Sequence, residues 1–367
     1  MLQRLAEDRA RLAELDSQIL ELELAFATLR SQRSVVKERL DTYKYPVLTL
    51  PNEVIADIFV HFIPEYPACP PLGGSQSPLL LTRICRLWRE IAHATPKLWR
   101  AVSLPIRNPF PLDPKNIWLS RAGFFPLAIR MNETDGHYDV DEWSLFAAIL
   151  PYRLRCEYLE LRLGYDVVYL ASLESDFPLL KHLDLEFDEE PDDKIEFSSV
   201  PMLRSAVLDG VAAYWIVLPW SQLTTLALHT VSLNSCAPIL EKVTNLSECS
   251  LDLRLYFNSE NYIADPHIML PRLKSLTANG DEPMNTFLDS FTLPLLSKLN
   301  VCEKLLGPDP ISSLTTFISR SECKLQCLRI SCMQAGSTTY SAAFPSIQEL
   351  SFGPVKDPQQ PLHLLSV

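Results

Sequence analysis

The feature that most constrains the fold is a leucine repeat that begins at residue 99 and continues almost to the end of the chain. Each unit has an apolar anchor, a second anchor three residues later and a third two residues after that. The last two anchors of a unit therefore fall on one face of a short strand. The eleven units have anchors at Trp99/Val102/Leu104, Phe124/Leu127/Ile129, Cys156/Leu159/Leu161, Leu180/Leu183/Leu185, Leu203/Ala206/Leu208, Leu223/Leu226/Leu228, Leu246/Cys249/Leu251, Leu273/Leu276/Ala278, Leu296/Leu299/Val301, Leu325/Leu328/Ile330 and Ile347/Leu350/Phe352.

The spacing of these units indicates a repeat architecture. From Cys156 onward the first anchors are 24, 23, 20, 23, 27, 23, 29 and 22 residues apart. This range resembles the leucine-rich repeat family, which implies an α/β solenoid over residues 101–367. The intervening stretches that predict return helices are 143–150, 237–243, 284–291 and 311–319. The asparagine usual after the strand in that family is missing, so we expect the turns to be held by packing alone. A globular α/β domain rich in leucine is the alternative.

Residues 46–100 predict three short helices, each with proline at its first position: Pro51, Pro78 and Pro96. Proline suits that position because its missing N–H would be unpaired there anyway. Apolar residues recur at helical spacing on the first two helices. On the first they are Val54, Ile55, Ile58, Phe59 and Phe62, and on the second Leu81, Ile84, Cys85, Trp88, Ile91 and Ala92. One small helical cluster cannot cover this much apolar surface, so part of it is expected to meet a partner.

This segment resembles an F-box, the adaptor-docking motif of Skp–cullin–F-box ubiquitin ligases. The matching residues, in family order, are Leu50, Pro51 and Glu53, then Ile58 and Phe59, then Ile84, Cys85 and Trp88, and finally Leu98 and Trp99. The layout as a whole is similar to F-box-like proteins abundant in fungi. One departure is the link from Ile63 to Gln76, which is longer than usual and rich in proline and glycine, so we interpret it as an exposed loop insertion. An ordinary three-helix packing unit is the alternative.

The resemblance implies a docking site for a Skp-type adaptor. The residues expected to bind it are Leu50, Pro51, Val54, Ile55, Ile58, Phe59, Phe62, Leu81, Ile84, Cys85, Trp88, Leu98 and Trp99. The second helix also predicts that Trp88 is buried against the first and third helices. Residues 44 to 107 carry seven basic and four acidic side chains. A positive F-box would help to steer the acidic adaptor of this family.

Residues 1–43 predict a long helix with coiled-coil spacing. In the heptad notation, the a positions are Leu5, Leu12, Ile19, Phe26, Arg33 and Leu40, and the d positions from the second heptad onward are Leu15, Leu22, Leu29, Val36 and Tyr43. Apolar residues at a and d form the seam along which such helices pair. Two arrangements are open: a parallel homodimer through residues 5–43, or a helix that folds back onto its own solenoid.

The amino-acid composition argues against nucleic-acid-binding, membrane-spanning and secreted proteins. The net charge of −12, with 33 basic and 45 acidic residues, opposes nucleic-acid binding. No window is long and apolar enough for a membrane span, and the charged start predicts no secretory signal. Nine cysteines without a paired framework suit a reducing compartment, so we expect a cytoplasmic or nuclear protein.

Nine acidic residues fall within 176–196, and we interpret the run at 188–193 as a solvated loop.

The chain contains no motif for enzyme chemistry. Phosphate-binding glycine loops, nucleophile elbows and paired metal-binding histidines are missing from the sequence. Cys323, Cys327 and Cys332 lack a fourth ligand for zinc, so we interpret them as small buried hydrophobes and expect no metal or cofactor. We therefore predict a non-catalytic substrate receptor of a ubiquitin ligase, with the strand face binding an unidentified protein target. An interaction scaffold without a role in degradation is the alternative.

Overall fold

A computed structural model describes residues 2–43, 45–105, 118–132, 149–163, 176–187, 189–254, 267–281, 283–284, 287–333 and 337–353. It confirms a mixed α/β fold with a long N-terminal helix and an extensive parallel sheet. The chain divides into two compact units, Met1–Ile58 and Phe59–Val367. The division falls inside the first predicted F-box helix, so most of the predicted 46–100 segment belongs to the same unit as the sheet.

The helices and strands have the following bounds. The α-helices are α1 Leu2–Thr42, α2 Asn52–Phe62, α3 Pro78–Ile84, α4 Arg86–His93, α5 Ala212–Trp215, α6 Leu233–Leu240, α7 Pro310–Ser321 and α8 Ser337–Ala343. The strands are β1 Ala101–Pro105, β2 Leu127–Asn132, β3 Cys156–Leu163, β4 His182–Phe187, β5 Ile195–Glu196, β6 Ser205–Gly210, β7 Ile216–Val217, β8 Thr225–Val231, β9 Glu248–Leu253, β10 Ile268–Met269, β11 Ser275–Gly280, β12 Phe291–Thr292, β13 Lys298–Cys302, β14 Cys327–Ser331 and β15 Glu349–Phe352. Short 3₁₀ turns occur between them, including Pro96–Leu98 and Leu288–Ser290.

Helix α1 is continuous over 41 residues because neither glycine nor proline interrupts it. Every residue from 3 to 43 is exposed. The apolar residues at a and d share this exposure: Leu12 is 60%, Leu22 is 69% and Leu40 is 70% accessible. A helix of this length with a long row of exposed apolar residues is a candidate for association.

Each of the eleven predicted repeat units supplies one strand of a single parallel sheet. The strand order is β1-β2-β3-β4-β6-β8-β9-β11-β13-β14-β15, so neighbours in the sheet follow one another along the chain. Equivalent anchors pair across it, as in the register Leu159 to Leu183 to Ala206. The short strands β5 with β7 and β10 with β12 form two further parallel pairs. Almost all described anchors are buried, so the leucines form the core behind the sheet.

One predicted anchor is wrong. Phe124 is fully exposed, whereas its counterparts in most other units are buried. It follows Gly123, which has a φ of +59°, and it precedes the start of β2 by three residues. The chain therefore turns at this point, and the Phe124 side chain lies outside the apolar row.

The return segments are only partly helical. The predicted helices at 237–243 and 311–319 correspond to α6 and α7, although α6 begins and ends earlier. Residues 285 and 286 of the predicted helix at 284–291 lie outside the described residues, and its last four residues are the 3₁₀ turn Leu288–Ser290 and the start of β12. The stretch 143–150 lies outside the described residues except for its last two. In a short connection, the spacing of apolar residues therefore does not tell a 3₁₀ turn from an α-helix.

The expectation that packing alone holds the turns is also wrong. A ladder of backbone hydrogen bonds joins the residues just before successive strands. The Lys181 carbonyl accepts the N–H groups of Arg204 at 3.0 Å and Ser205 at 3.1 Å, and the Arg204 carbonyl accepts the Thr224 N–H at 2.8 Å. The series continues through Ser247, Lys274, Ser297, Gln326 and Glu349. Because backbone groups make these bonds, no particular side chain is required.

Candidate docking surfaces

Helix α2 has one exposed apolar row and one buried row. Val54, Ile58 and Phe62, which are four residues apart, are 43%, 46% and 39% accessible. Leu50, just before the helix, extends the row and is 39% accessible. Ile55 and Phe59 are at most 1% accessible. Residues four apart lie on the same helix face, so α2 packs with one face and leaves an apolar stripe uncovered on another.

The second predicted helix is broken into α3 and α4 at Cys85. That residue is extended, with φ −154° and ψ 172°, and its thiol accepts the Trp88 N–H at 3.5 Å. The Arg89 Nε donates to the Thr82 carbonyl of α3 at 2.8 Å. These contacts satisfy backbone groups that a helix end otherwise leaves unpaired, which is why the break is stable. Helical periodicity continues across Cys85, so the residue pattern contains no sign of the break.

The break determines which side chains of α3 and α4 face solvent. Ile84 is 54% accessible and Leu80, one turn earlier, is 39% accessible, whereas Leu81 is 3% accessible. Trp88 is only half-buried, and its ring packs on Phe59 with centroids 4.8 Å apart. The predicted burial of Trp88 is therefore incomplete. Leu80 is an exposed residue that the family motif did not mark.

Trp99 lies at the centre of the packing that follows α4. The third predicted helix is a 3₁₀ turn of three residues, Pro96–Leu98. Trp99 is fully buried, and its Nε1 donates to the Ala92 carbonyl at 2.8 Å. The Trp118 ring meets it edge-on at 5.0 Å and the Arg121 guanidinium lies 5.0 Å from its centroid. Burial, together with the Arg121 and Arg89 cations, lowers the pKa of nearby His93.

The link between α2 and α3 is only in part the exposed loop that its proline and glycine content predicted, because some of its residues pack on the sheet. The Pro70 carbonyl accepts the Ser103 N–H of β1 at 2.8 Å, and Leu72 is 3% accessible. The Tyr66 hydroxyl donates to a Glu157 oxygen of β3 at 2.6 Å. Burial and this carboxylate raise the pKa of Tyr66 well above its ordinary value. The link therefore attaches this helical segment to the first strands of the sheet.

The predicted adaptor-binding residues thus separate into two groups. Five of them are buried and pack within the protein: Ile55, Phe59, Leu81, Leu98 and Trp99. Those with accessible side chains are Leu50, Pro51, Val54, Ile58, Phe62 and Ile84, with Cys85 and Trp88 half-buried. The family motif mixes packing residues with exposed residues, and spacing alone does not separate them.

The second candidate surface is the polar face of the sheet. Along most strands buried anchors alternate with half-buried residues, as in the pattern of β4. The half-buried positions of neighbouring strands carry opposite charges. Arg130 Nη2 donates to Glu160 Oε1 at 3.0 Å, and Arg162 nitrogens lie 3.8 Å from Asp184 Oδ2 and 3.5 Å from Glu186 Oε2. From β2 to β4 this face is thus an array of paired charged side chains.

The array extends across the later strands with neutral groups. His182 Nδ1 lies 3.0 Å from the Ser205 hydroxyl. Further along, the Oδ1 atoms of Asn279 and Asn300 are buried and have no hydrogen-bond partner among the described residues. Buried acceptors without a donor are uncommon in native proteins. Together with Asn132 Oδ1 on β2, they are acceptors of this face whose hydrogen-bonding capacity is unused among the described residues.

Asp184 makes the stability of the sheet depend on pH. Burial raises the pKa of this carboxyl from 3.8 to about 7, although Arg162 opposes the shift. A carboxyl with a raised folded-state pKa favours folding most below pH ~4, and this contribution is lost as pH rises through 7. Asp184→Asn should therefore be stabilised relative to wild type by a few kcal/mol at pH 8 and by much less at pH 5, at about 1.4 kcal/mol per pKa unit. Urea unfolding at the two pH values measures the difference.

Asp281→Asn provides the control, because it makes the same substitution at a carboxyl whose side chain is 80% accessible, compared with 14% for Asp184. It should show no comparable gain between pH 5 and pH 8. An Asp184→Asn difference that stays constant across this range would contradict the prediction.

The cysteines do not converge on a site. Cys323 is buried and Cys327 is half-buried, but Cys332 is exposed, which corrects the interpretation of all three as buried hydrophobes. Within the described residues, no three His, Cys, Asp or Glu side chains lie close enough together to hold a metal ion. None of the described helices combines the length and apolar character that crossing a bilayer requires.

Comparison with protein-family models found no family that matches the chain, and comparison with curated proteins found no significant match. The functional interpretation therefore depends on the residues and their geometry.

Proposed function

We propose that this protein is the substrate-recognition subunit of a Skp–cullin–F-box ubiquitin ligase. Residues 46–100 serve as the F-box, and the eleven-strand sheet is a degenerate leucine-rich-repeat solenoid. The observation that carries the proposal is the exposed apolar row of α2, which follows Leu50 and Pro51 and ends at Phe62. A row of large apolar side chains that the protein leaves uncovered is typical of an interaction surface.

Adaptor docking is proposed to use the accessible members of the predicted set. Val54, Ile58 and Phe62 provide one apolar surface, and Leu80 and Ile84 of α3 provide another. The basic residues of this segment attract an acidic adaptor, which increases the rate of association more than its final strength.

The polar strand face is the proposed target-binding surface. It displays charged pairs on the first strands and the unpartnered amide oxygens of Asn279 and Asn300 further along. This protein would contribute to ubiquitin transfer by tethering, because a bound target is held at a high effective concentration near the rest of the ligase. The chain itself would catalyse no chemical step. Such a receptor works in the cytoplasm or nucleus without a cofactor.

An interaction scaffold that binds the adaptor without promoting degradation is the second candidate, because the same surfaces would serve it. Affinity capture of the intact protein with the proteasome blocked should recover the adaptor together with a target. Inhibition of the cullin should then slow turnover of that target. A target whose turnover does not change favours the scaffold, and failure to recover the adaptor contradicts both.

We also propose that residues 5–43 join two copies of the chain. The stripe of α1 that contains Leu12, Leu15, Ile19 and Leu22 is exposed in the single chain. Replacing Leu15 and Leu22 together by glutamate should convert a concentration-dependent dimer into a monomer, since unpaired charges cannot be buried at d positions. Sedimentation equilibrium at tens of micromolar measures this. A wild-type mass near 41.6 kDa would contradict the dimer.

A further inference from the structure

We propose that the α1 helices of two copies pair in antiparallel orientation, with Ile19 of one copy facing Val36 of the other. This inference rests on the proposed self-association of residues 5–43 and is independent of the F-box. It identifies a second copy of the chain as the occupant of the exposed α1 stripe. The charged residues of α1 indicate the orientation.

The polar residues of the seam disfavour the parallel arrangement. In a parallel, in-register pair each a or d residue faces its own copy. Arg33 at a would then face Arg33, and Asp8, which occupies the first d position, would face Asp8. Both layers would bring like charges together in the partly desolvated seam, where such contacts are costly.

An antiparallel pair avoids both contacts because each a residue faces a d residue of the other copy. In the proposed register the facing residues are Leu12 with Tyr43, Leu15 with Leu40, Ile19 with Val36, Leu22 with Arg33 and Phe26 with Leu29, each occurring twice by symmetry. Arg33 then faces Leu22, which Glu21 and Glu23 flank in the chain. Asp8 lies beyond the paired region and stays in solvent.

The positions that border the seam provide charge complementarity. In this register Asp16 and Glu23, both at e positions, lie beside Lys37 and Arg30 of the second copy. Each attraction occurs twice by symmetry. The same rule brings Arg9 beside Lys44 at the end of the antiparallel pair, so that register has two kinds of attraction and one of repulsion. The parallel arrangement pairs Arg11 with Asp16 favourably but brings Arg4 beside Arg9 and Arg39 beside Lys44, so its repulsions outnumber its attractions.

The position of Arg30 fits this pairing. Its guanidinium lies 4.6 Å from the centroid of the Phe26 ring, one turn earlier on the same helix. The Arg30 charge therefore lies at the border of the apolar stripe, beside an a position. In the proposed register the carboxylate of Glu23 from the second copy comes to the same border.

Cysteine cross-linking tests the orientation in the full-length chain. Ile19→Cys and Val36→Cys are combined, the protein is treated with oxidised glutathione, and the linked peptides are identified by mass spectrometry. The wild type shows the background from the native cysteines, and Ile19→Cys alone is the matched control. In the double variant we expect a disulfide between position 19 of one copy and position 36 of the other. Neither variant should form a disulfide between the two thiols introduced at position 19.

The outcomes separate this inference from the proposals on which it depends. A disulfide that joins position 19 of both copies would overturn the antiparallel orientation but leave the dimer intact. A dimer with neither disulfide would overturn the register. A wild-type monomer by sedimentation would overturn the dimer itself, without affecting adaptor binding.

A charge exchange provides a second test. Asp16→Lys should weaken the dimer about tenfold at low ionic strength, because it replaces two attractions by two repulsions. Adding Lys37→Asp should restore the affinity if the helices are antiparallel. Adding Arg11→Asp instead should restore it only if they are parallel, so rescue by Arg11→Asp would overturn the inference.

Discussion

Replacing Val54 and Ile58 together by glutamate is expected to reduce binding of the Skp-type adaptor by at least about a hundredfold. Both side chains are exposed on one face of α2, so the variant should remain folded. Central apolar residues of an interface carry most of its binding energy, and a glutamate buried there would lose its hydration without gaining a partner. Titration of purified adaptor by calorimetry measures the loss.

The matched control is Leu295→Glu, which introduces the same charge at a residue that is 56% accessible and distant in sequence from the proposed F-box. It should bind the adaptor as the wild type does. Both proteins should also unfold at the wild-type temperature by circular dichroism. Adaptor binding that survives Val54→Glu and Ile58→Glu would reject α2 as the docking helix and, with it, the F-box assignment.

Replacing Trp99 by alanine should destabilise the whole unit from Phe59 to Val367. Truncation of a buried tryptophan typically costs about 3–5 kcal/mol, and here the bond to the Ala92 carbonyl and the contact with Trp118 are lost as well. The helices from α3 onward and the sheet belong to one compact unit. We therefore expect one unfolding transition, at a lower urea concentration than in the wild type. Tryptophan fluorescence and circular dichroism should both report this same transition.

Trp99→Phe is the comparison variant. It retains an aromatic ring beside Trp118 but cannot donate to Ala92, so it should lose less stability than alanine. If Trp99→Ala instead melted the helical segment separately, with the sheet transition unchanged, the segment would be an independent domain and the expectation would fail.

The sheet could be predicted because its cause is local. Alternating anchors such as Leu183 and Leu185 determine which face of a strand is buried, and a unit of roughly 23 residues leaves room for one strand and one return. Helix α1 could be predicted equally well, since an uninterrupted run of helix-forming residues is enough to predict a helix. Phe124 shows the limit: an apolar residue at the right spacing is not an anchor if the chain turns before the strand begins.

The docking surface was harder to predict because it depends on tertiary packing. Val54 and Ile55 are adjacent, equally apolar and both in the predicted set, yet one is 43% accessible and the other is buried. Only the position of neighbouring elements decides between them. The break at Cys85 likewise depends on the Arg89 contact with Thr82, and the docking of Tyr66 on Glu157 joins residues 91 positions apart. No short sequence window contains such information.

The attachment of the link at 63–76 to β1 and β3 has a consequence for the fate of the protein in the cell. Because α3 and the sheet belong to one compact unit, any partner that binds α3 only in its folded form stabilises the sheet as well. At a hundredfold excess over its dissociation constant, such a partner adds about 2.7 kcal/mol to the free energy of unfolding. Under the proposed function, copies without an adaptor would unfold more often and be degraded sooner, so the supply of adaptor would set the abundance of the receptor.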